Sequence, residues 1–271
     1  MIGVFDSGVG GLSVFKELVA LMPDQRYIYV SDSGHCPYGP KPKEYIIDRA
    51  LKISRFLIDS GVDLIVVACN TATAAAIEIL RSSYSIPFVG MEPAVKPAAL
   101  NTETGVIGVL ATQGTLKGEL YLRTLHKFAS NTKVIEQVGS GLVELVEQGN
   151  TDTPEAISLL ERYLLPMIEA NADHVVLGCT HYPFLSNSIK RIAGDRLKIV
   201  NPAPAIAKQA LSLLELGNKA IDTSAGPNLF YTTGNNLSLL KNMATSIMDA
   251  LYNQNLSDVA KRENRFCSID I

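Results

Sequence analysis

Two cysteines, Cys69 and Cys179, occupy matching positions in two similar stretches of the sequence. Residues 63–76 read DLIVVACNTATAAA and residues 173–183 read DHVVLGCTHYP, so each cysteine follows an acidic residue and an apolar run and precedes a polar pair. The two cysteines lie 110 positions apart. The apolar runs, rich in valine, predict strands that are buried on both faces. Each thiol is therefore expected at the carboxyl end of a strand, where open α/β sheets bind ligands.

Two thiols that face each other across one cleft suit a reaction that removes a proton from one face of a carbon atom and returns a proton to the other face. A thiolate acts as the base, the opposing thiol acts as the acid, and the roles exchange in the reverse direction. Each thiol needs a neighbour that helps it to ionise, and Asp6 and His181 follow predicted strands where they could do so. A single cysteine is more often a buried structural residue, so the hypothesis depends on the pair.

The glycine-rich turn within residues 5–11, FDSGVGG, allows a second interpretation. Gly8 and Gly10 fit the first two glycines of the dinucleotide fingerprint GxGxxG, but Ser13 occupies the place of the third. Asp32 lies 22 residues after Gly10, about where an acid that binds ribose is expected. A Walker A loop is excluded because no Gly-Lys-Ser/Thr follows. The turn could instead bind a small carboxylate through its backbone N–H groups, so a nucleotide-binding oxidoreductase and a carboxylate site both stay open.

Predicted strands and helices alternate along the chain, which is typical of α/β folds with mostly parallel sheets. Residues 2–5 read IGVF and residues 107–110 read IGVL, a second echo at a similar offset. We therefore expect two similar domains, each a mostly parallel sheet flanked by helices. The chain is expected to cross between them near residues 92 and 203, so that residues 1–92 and 204–271 form a discontinuous first domain and residues 93–203 form the second.

Two local expectations concern the helix after Cys69 and the end of the chain. Thr71 or Thr73 is expected to be the N-cap of the helix, because a threonine hydroxyl can accept a hydrogen bond from the first turn. The segment beyond residue 255 is polar and is expected to be frayed.

Composition excludes several classes of function. The 271 residues carry 24 basic and 27 acidic side chains, a net charge of −3 without a basic stripe, so nucleic acid is not an expected partner. No apolar run approaches the roughly 20 residues of a membrane-spanning helix, and the N-terminus enters a predicted strand directly, so we expect a cytoplasmic protein without membrane association. The four cysteines include no CxxC, which argues against a zinc site and a disulfide framework. Structural roles only are expected for Cys36, Cys267, His35, His126 and His174.

Seven motifs between residues 5 and 183 carry a resemblance to a known family. They are FDSGVGG at residues 5–11, PYG at residues 37–39, VACNTATA at residues 67–74, GMEPAVKPA at residues 90–98, IGVLAT at residues 107–112, LVEQG at residues 145–149 and GCTHYP at residues 178–183. In this order and spacing they resemble the cofactor-independent aspartate/glutamate racemase family, and within it the glutamate racemases, which supply D-glutamate for peptidoglycan. The resemblance implies an active site in the cleft between the two domains, and neither a cofactor nor a metal.

The same resemblance implies roles for particular residues. Cys69 would be the base that acts on D-glutamate, assisted by Asp6, and Cys179 the base that acts on L-glutamate, assisted by His181. Glu147 would be an auxiliary catalytic carboxylate. Substrate contacts are expected from eight residues around the two cysteines and the PYG loop: Asp6, Ser7, Tyr38, Gly39, Asn70, Thr71, Thr180 and His181.

Several alternatives remain at this point. Aspartate is the neighbouring substrate within the family, and a non-enzymatic binding protein with a two-domain cleft is a further class. Family members often form homodimers, so a homodimer is left open. Residues 33–36, SGHC, depart from the Thr-Ala-Arg pattern of many members, which puts the local pocket wall in doubt. Some members carry an N-terminal extension and depend on a cell-wall precursor; with a first strand at Ile2, no such dependence is expected.

Overall fold

The computed structural model describes residues 1–217, 226–253 and 262–271. Within these residues the strands are β1 (Ile2–Asp6), β2 (Tyr27–Ser31), β3 (Leu64–Val67), β4 (Phe88–Gly90), β5 (Val106–Ala111), β6 (Lys133–Val138), β7 (His174–Gly178), β8 (Lys198–Val200), β9 (Asn228–Thr232) and β10 (Asn264–Ser268). The α-helices are α1 (Leu12–Leu21), α2 (Lys43–Asp59), α3 (Asn70–Ser83), α4 (Val95–Asn101), α5 (Gln113–Leu116), α6 (Glu119–Phe128), α7 (Leu142–Glu147), α8 (Pro154–Glu169), α9 (Ser186–Ala193), α10 (Ala203–Leu216) and α11 (Leu237–Asn253). None of the described helices combines the length and the apolarity that crossing a membrane requires.

The strands form two parallel sheets. A six-stranded sheet has the order β10-β9-β2-β1-β3-β4, and a four-stranded sheet has the order β6-β5-β7-β8. Every strand pair in both sheets is parallel. Central strands such as β1, β3 and β7 are buried along their whole length, because helices cover both faces of each sheet. The α/β prediction with two mostly parallel, helix-flanked sheets is confirmed.

The two sheets repeat one arrangement of four strands. β2-β1-β3-β4 in the first sheet corresponds in order to β6-β5-β7-β8 in the second. In both sheets the strand that precedes a cysteine lies beside the strand that begins the repeat: β3 pairs with β1, and β7 pairs with β5. The two echoes in the sequence therefore correspond to equivalent positions in space.

Buried apolar side chains hold the two sheets together as well as each sheet to its helices. On one face of the first sheet, Phe15 of α1 packs edge to face against Phe230 of β9, with ring centroids 5.2 Å apart. The same cluster of buried residues extends into the second sheet and includes Leu142 of α7 and Leu177 of β7. A buried core shared by the two sheets thus brings their carboxyl edges close to each other.

The end of the chain differs from the prediction. Residues 254–261 lie outside the described residues, but residues 264–268 form β10, an edge strand that pairs in parallel with β9. Its side chains are only half-buried or exposed, so its composition does not reveal a strand. The expectation of a frayed polar tail is wrong for these five residues, because backbone hydrogen bonding to an existing sheet edge fixes them.

Candidate active site

Cys69 and Cys179 lie at the carboxyl edges of their sheets. Cys69 follows β3 and is itself the N-cap of α3: its Sγ accepts a hydrogen bond from the backbone N–H of Ala72 at 3.4 Å. The expectation that Thr71 or Thr73 caps this helix is therefore wrong. Cys179 directly follows β7, and the two cysteines are only 5% and 6% exposed. Both thiols are held away from bulk water by the strands that precede them.

Both cysteines line one small cavity between the two halves of the chain. The space open to water inside it is ≈ 10 Å³, about enough for a single water molecule. Seven of the predicted site residues line it together with the cysteines, and three further residues complete the wall. The lining consists of Ser7, Pro37, Tyr38, Gly39, Cys69, Asn70, Thr71, Thr112, Val143, Cys179, Thr180 and His181.

Asp6 is fully buried beside this cavity and links the two halves. Its Oδ2 accepts a hydrogen bond from the Gly8 N–H at 3.0 Å, and its Oδ1 accepts one from Thr180 Oγ1 at 3.0 Å. Burial raises the pKa of Asp6, although the nearby His181 opposes this effect. Burial and, next, the charge of Asp6 also raise the pKa of the Cys69 thiol. Asp6 and Cys69 are therefore close enough for the protonation of one to control the other.

Cys179, His181 and Glu147 form a connected chain of groups. The Sγ of Cys179 lies 3.7 Å from Nδ1 of His181, and Nε2 of His181 lies 2.7 Å from Oε1 of Glu147. The N–H of Val9 also donates to Oε1 of Glu147, at 2.7 Å. Burial alone would lower the pKa of His181, but hydrogen bonds with Cys179, Cys36 and Glu147 raise it well above its usual value. The imidazole therefore lies between a thiol and a carboxylate, and its hydrogen bonds to these groups favour its protonated form.

Tyr38 and Gly39 are positioned by a buried network around Asp32. The Tyr38 hydroxyl donates to Oδ2 of Asp32 at 2.5 Å, and Arg49 donates to both oxygens at 3.0 and 2.7 Å. Thr233, which follows β9, donates to Oδ1 at 2.7 Å. Asp32 is fully buried and occupied by these donors. Its function here is to fix the PYG loop against the sheet.

The glycine-rich turn also has no room for a nucleotide. Gly8 and Gly10 pack directly against side chains of the second half, since a Cβ at Gly8 would collide with Glu147 and a Cβ at Gly10 with the ring of His181. The glycines are needed for this close approach of the two halves. With Asp32 occupied as well, the dinucleotide interpretation is wrong.

The polar residues around the cysteines differ in whether their side chains have hydrogen-bond partners. Thr180 donates to Asp6, and Oγ1 of Thr71 lies 2.8 Å from Oγ1 of Thr112. Asn70 is 2% exposed, yet neither its Oδ1 nor its Nδ2 has a hydrogen-bond partner within the described residues. Burying such a pair of groups without partners costs free energy. An orphaned amide in the wall of this cavity is an available donor and acceptor for a polar ligand.

Some residues at the site were not expected from the sequence. Thr112 lines the cavity, and it could have been found from its position directly after β5, at the same sheet edge as Cys179. Val143 comes from α7 and carries no sequence signal. Ser13 donates to the backbone oxygen of Thr180 at 2.9 Å and thereby joins α1 to the Cys179 segment. Thr112 ends the IGVLAT motif at residues 107–112, whereas Val143 and Ser13 lie outside the seven motifs.

Cys36 was expected to be structural, but it lies beside the catalytic candidates. Its Sγ, a ring nitrogen of His181 and a carboxylate oxygen of Glu147 all lie within 4.8 Å of one another. Burial raises the pKa of the Cys36 thiol to about 11, although His181 opposes this effect. These three side chains are the group in the described part of the chain that could hold a metal ion.

The arrangement can perform proton transfer at a carbon atom. Two thiols reach one cavity from equivalent ends of two sheets, each with an ionisable group beside it, and water has almost no space between them. Exclusion of water strengthens the electrostatic contacts that a developing carbanion needs.

Comparisons with known proteins point to the same chemistry. The family model described as Asp/Glu/Hydantoin racemase matches residues 2–210. A glutamate racemase of Ralstonia pickettii is 45% identical over 250 residues, covering 92% of this chain and 88% of the relative. Among solved structures, Escherichia coli glutamate racemase in complex with L-glutamate and the activator UDP-MurNAc-Ala has a TM-score of 0.84 at 32% identity, covering 99% of this chain and 98% of that one.

A second solved structure, a glutamate racemase from Francisella tularensis in complex with D-glutamate, has a TM-score of 0.78 at 31% identity and covers 90% of this chain and 93% of that one. The match in sequence extends over most of the chain, and the match in structure covers both sheets. The chain belongs to the aspartate/glutamate/hydantoin racemase family and is an amino-acid racemase.

Proposed function

We propose that this protein interconverts L-glutamate and D-glutamate by abstraction and return of the Cα proton with two thiols. The observation that carries the proposal is the pair Cys69 and Cys179, buried at equivalent strand ends and facing one cavity. The curated relatives at 42–48% identity are named glutamate racemases, which favours glutamate over aspartate.

In the proposed mechanism Cys69 acts on D-glutamate and Cys179 acts on L-glutamate. For L-glutamate, the Cys179 thiolate takes the Cα proton and the Cys69 thiol gives its proton to the opposite face of the carbon. The reverse reaction exchanges the two roles. No redox step or external co-reactant is needed, because one proton is taken and one is returned.

Each thiol has a neighbour suited to controlling its proton. Asp6 is the ionisable group whose charge reaches Cys69, and His181 lies next to Cys179, with Glu147 behind it. We propose that Asp6 assists Cys69 and His181 assists Cys179 by exchanging a proton with the neighbouring thiol, and that Glu147 orients His181.

Polar groups in the cavity wall are proposed to bind the substrate. The orphaned amide of Asn70 supplies a donor and an acceptor, and the hydroxyls of Ser7, Thr71 and Thr180 lie in the same wall. Tyr38 and Gly39 belong to a loop held rigid by Asp32, so this wall would be formed before the substrate arrives. Donors of this kind stabilise the negative charge that develops as the Cα proton leaves.

The small volume of the cavity implies that the two halves of the chain move relative to each other. A space of ≈ 10 Å³ holds about one water and not an amino acid, so the two halves must separate to admit glutamate. We propose that residues 1–92 with 204–271 form one domain and residues 93–203 the other. The membership of β9 and β10 in the first sheet supports this division.

We further propose a cytoplasmic enzyme that supplies D-glutamate for peptidoglycan synthesis and so contributes to cell-wall biogenesis and cell shape. The bacterial sources of the relatives support this role. Homodimerisation, and a reaction without cofactor or metal, stay predictions from the resemblance.

Circular dichroism tests the proposal. Purified protein is mixed with L-glutamate and D-glutamate separately, without added cofactor and under reducing conditions, beside Cys69→Ser, Cys179→Ser and the surface control Cys267→Ser. We expect the optical activity to decay from both enantiomers with wild type and Cys267→Ser, and not with either cavity variant. If the optical activity of L-aspartate decayed and that of glutamate did not, the substrate would be aspartate. If glutamate bound without any decay of its optical activity, the protein would be a binding protein.

A further inference from the structure

Cys36 contributes a third thiol next to the site, and the proposed mechanism does not use it. The loop after β2 supplies Cys36, the last residue of α7 supplies Glu147, and the turn after β7 supplies His181. Their ligand atoms lie within 4.8 Å of one another although the residues are far apart in the sequence. The fold therefore brings a thiol, a carboxylate and an imidazole together at one point beside the catalytic cavity.

We infer that Cys36, Glu147 and His181 form a binding site for a divalent cation of the zinc type, and that a cation bound there inhibits racemisation. Thiolate, imidazole and carboxylate are the three kinds of protein ligand that Zn²⁺ takes, and three protein ligands leave a fourth position for water. Mg²⁺ and Ca²⁺ prefer sites made only of oxygen atoms. The mixed ligand set thus selects a borderline-soft cation.

The geometry requires only small movements. Tetrahedral zinc with bonds of about 2.0–2.3 Å places neighbouring ligand atoms roughly 3.3–3.8 Å apart. The 2.7 Å contact between His181 and Glu147 must open slightly, and the separations of up to 4.8 Å must contract by about 1 Å. Side-chain rotations on this scale do not require the sheets to move.

A route to these atoms exists outside the catalytic cavity. A groove of ≈ 590 Å³ is lined by Cys36 and Glu147 and by residues of the loop that follows β9. A hydrated cation can therefore reach Cys36 and Glu147 from the groove while the catalytic cavity stays closed. His181 is 1% exposed and does not line the groove, but its ring nitrogen lies within 4.8 Å of both ligand atoms. Neither Cys69 nor Asn70 lines this groove, so among the residues expected to contact the substrate the cation would engage only His181.

Inhibition follows from what the cation does to His181. A cation on Nε2 would replace the hydrogen bond to Glu147, while Nδ1 would still face Cys179. The imidazole would then be tied through the cation to Cys36 of the first half, so it could not move away with the second half when the cavity opens for substrate. This second half of the inference rests on the proposed function, whereas cation binding itself does not.

Cobalt provides a direct test of the ligand set, independent of activity. The full chain is titrated with Co²⁺ in the absence of glutamate, and the thiolate-to-cobalt charge-transfer absorption is followed for wild type, Cys36→Ser and the matched control Cys267→Ser. We expect the band in wild type and in Cys267→Ser and its loss in Cys36→Ser. Glu147→Gln, which keeps the thiol, is expected to weaken Co²⁺ binding and serves as a second variant should Cys36→Ser fail to fold.

A band that is absent in wild type, or that persists in Cys36→Ser and disappears in Cys179→Ser, would overturn the proposed site.

Racemisation is then measured with increasing Zn²⁺, each variant against its own metal-free rate. Half-inhibition of Cys36→Ser is expected at a Zn²⁺ concentration at least about tenfold higher than for wild type, since even partners outside the ligand set change metal affinity by about 10–100-fold. A cobalt band without zinc inhibition would overturn the inhibitory half, and a chain without racemase activity would still answer the question of binding.

Discussion

His181, which is buried, and Glu147, which is half-buried, form a pair in which Nε2 of the imidazole lies 2.7 Å from Oε1 of the carboxylate. The other ring nitrogen faces the Sγ of Cys179, so any change at Glu147 reaches the thiol through the imidazole. The carboxylate comes from α7 and the imidazole from the turn after β7, which means that packing of α7 sets the electrostatics of one half of the site.

The first prediction concerns this pair. Glu147→Gln removes one of the groups that hold the pKa of His181 above its usual value, so that pKa is expected to fall. The limb of the pH–rate profile due to His181 should move to lower pH, with a rate loss of roughly tenfold, less than the 10²–10⁴-fold typical of losing an acid or base itself. An NMR titration of labelled His181 checks the shift. Glu144→Gln, an exposed neighbour on α7, is the control and should titrate like wild type; an unmoved His181 pKa in Glu147→Gln would contradict the pairing.

Asn70→Leu is expected to separate stability from activity. The amide is buried without hydrogen-bond partners, and each unsatisfied group costs about 1–3 kcal/mol, so an apolar side chain of similar size should raise the free energy of unfolding by about 1 kcal/mol. Loss of the proposed substrate contact should lower kcat/KM by roughly 10²-fold. Urea unfolding and racemisation kinetics measure the two effects.

Thr73→Val is the matched control for Asn70→Leu, since both residues are buried in α3. The Thr73 hydroxyl donates to the backbone oxygen of Val67 and accepts from the N–H of Met91. Loss of this hydroxyl should destabilise the fold by about 1–2 kcal/mol. It should leave kcat/KM of the folded enzyme nearly unchanged. If Asn70→Leu destabilised the fold as Thr73→Val does, the amide would have a partner in solution.

Gly10→Ala is expected to lower both stability and activity, because it displaces His181. The added methyl group would collide with the ring of His181, and overpacking of this kind costs about 1–3 kcal/mol. Both the free energy of unfolding and the racemisation rate should fall. Gly61→Ala is the contrast: Gly61 has φ of 82° with open space around it, so alanine should reduce stability through backbone strain alone, with activity per folded molecule kept. Full activity in Gly10→Ala would show that His181 tolerates displacement.

Asp32→Asn should weaken the fold in a pH-dependent way. Burial alone would raise the pKa of Asp32, but hydrogen bonds from Arg49, Tyr38 and Thr233 lower it below its usual value. A lowered pKa in the folded state means that the ionised carboxylate stabilises the fold above the unfolded pKa of about 3.9, and that this stabilisation disappears as the pH falls through the folded value.

The measurement is urea unfolding of wild type and Asp32→Asn between pH 7 and pH 3. At pH 7 we expect a loss of about 3 kcal/mol, because Arg49 is left buried beside a neutral partner, and the difference should shrink below about pH 4. Asp48→Asn, which removes an exposed pair with Lys52, should change stability little at any pH. A difference that is constant with pH would show that Asp32 stabilises the fold without its charge.

Closure of the cavity can be tested by small-angle X-ray scattering. Because the space between the cysteines is ≈ 10 Å³, the protein without substrate is expected to sample a more open form than the one described. Saturating glutamate should reduce the radius of gyration, while L-alanine, which lacks the side-chain carboxylate, should change it less. Equal dimensions with and without glutamate would count against separation of the domains.

Much of the site could be predicted because chemistry and local pattern coincide. Cys69 and Cys179 each follow a short, continuous apolar run, which is typical of a strand buried on both faces. Their places at the sheet edges therefore followed from local sequence. The repeat of four strands in each sheet then brings them to equivalent positions. Local pattern also explains why β1, β3, β5 and β7 could be recognised in the two echoes, since these strands are buried along nearly their whole length.

Other features depend on contacts that no local pattern encodes. Cys36 lies in a loop of proline and glycine, and its partners Glu147 and His181 are more than 100 positions away. β10 is held by backbone pairing with β9 rather than by apolar side chains. The N-cap of α3 is a thiol, which is outside the usual set of serine, threonine, aspartate and asparagine. Each of these needs the assembled fold to be recognised.

The nearly water-free cavity has a kinetic consequence under the proposed mechanism. After L-glutamate is converted, Cys179 carries the abstracted proton and Cys69 has lost its own, so the chain that releases D-glutamate is left ready for D-glutamate. With room for about one water between the thiols, their protons return to the starting arrangement only when the halves part and solvent enters. After each release, the protonation of the two thiols therefore records which enantiomer was last released, until solvent has exchanged their protons.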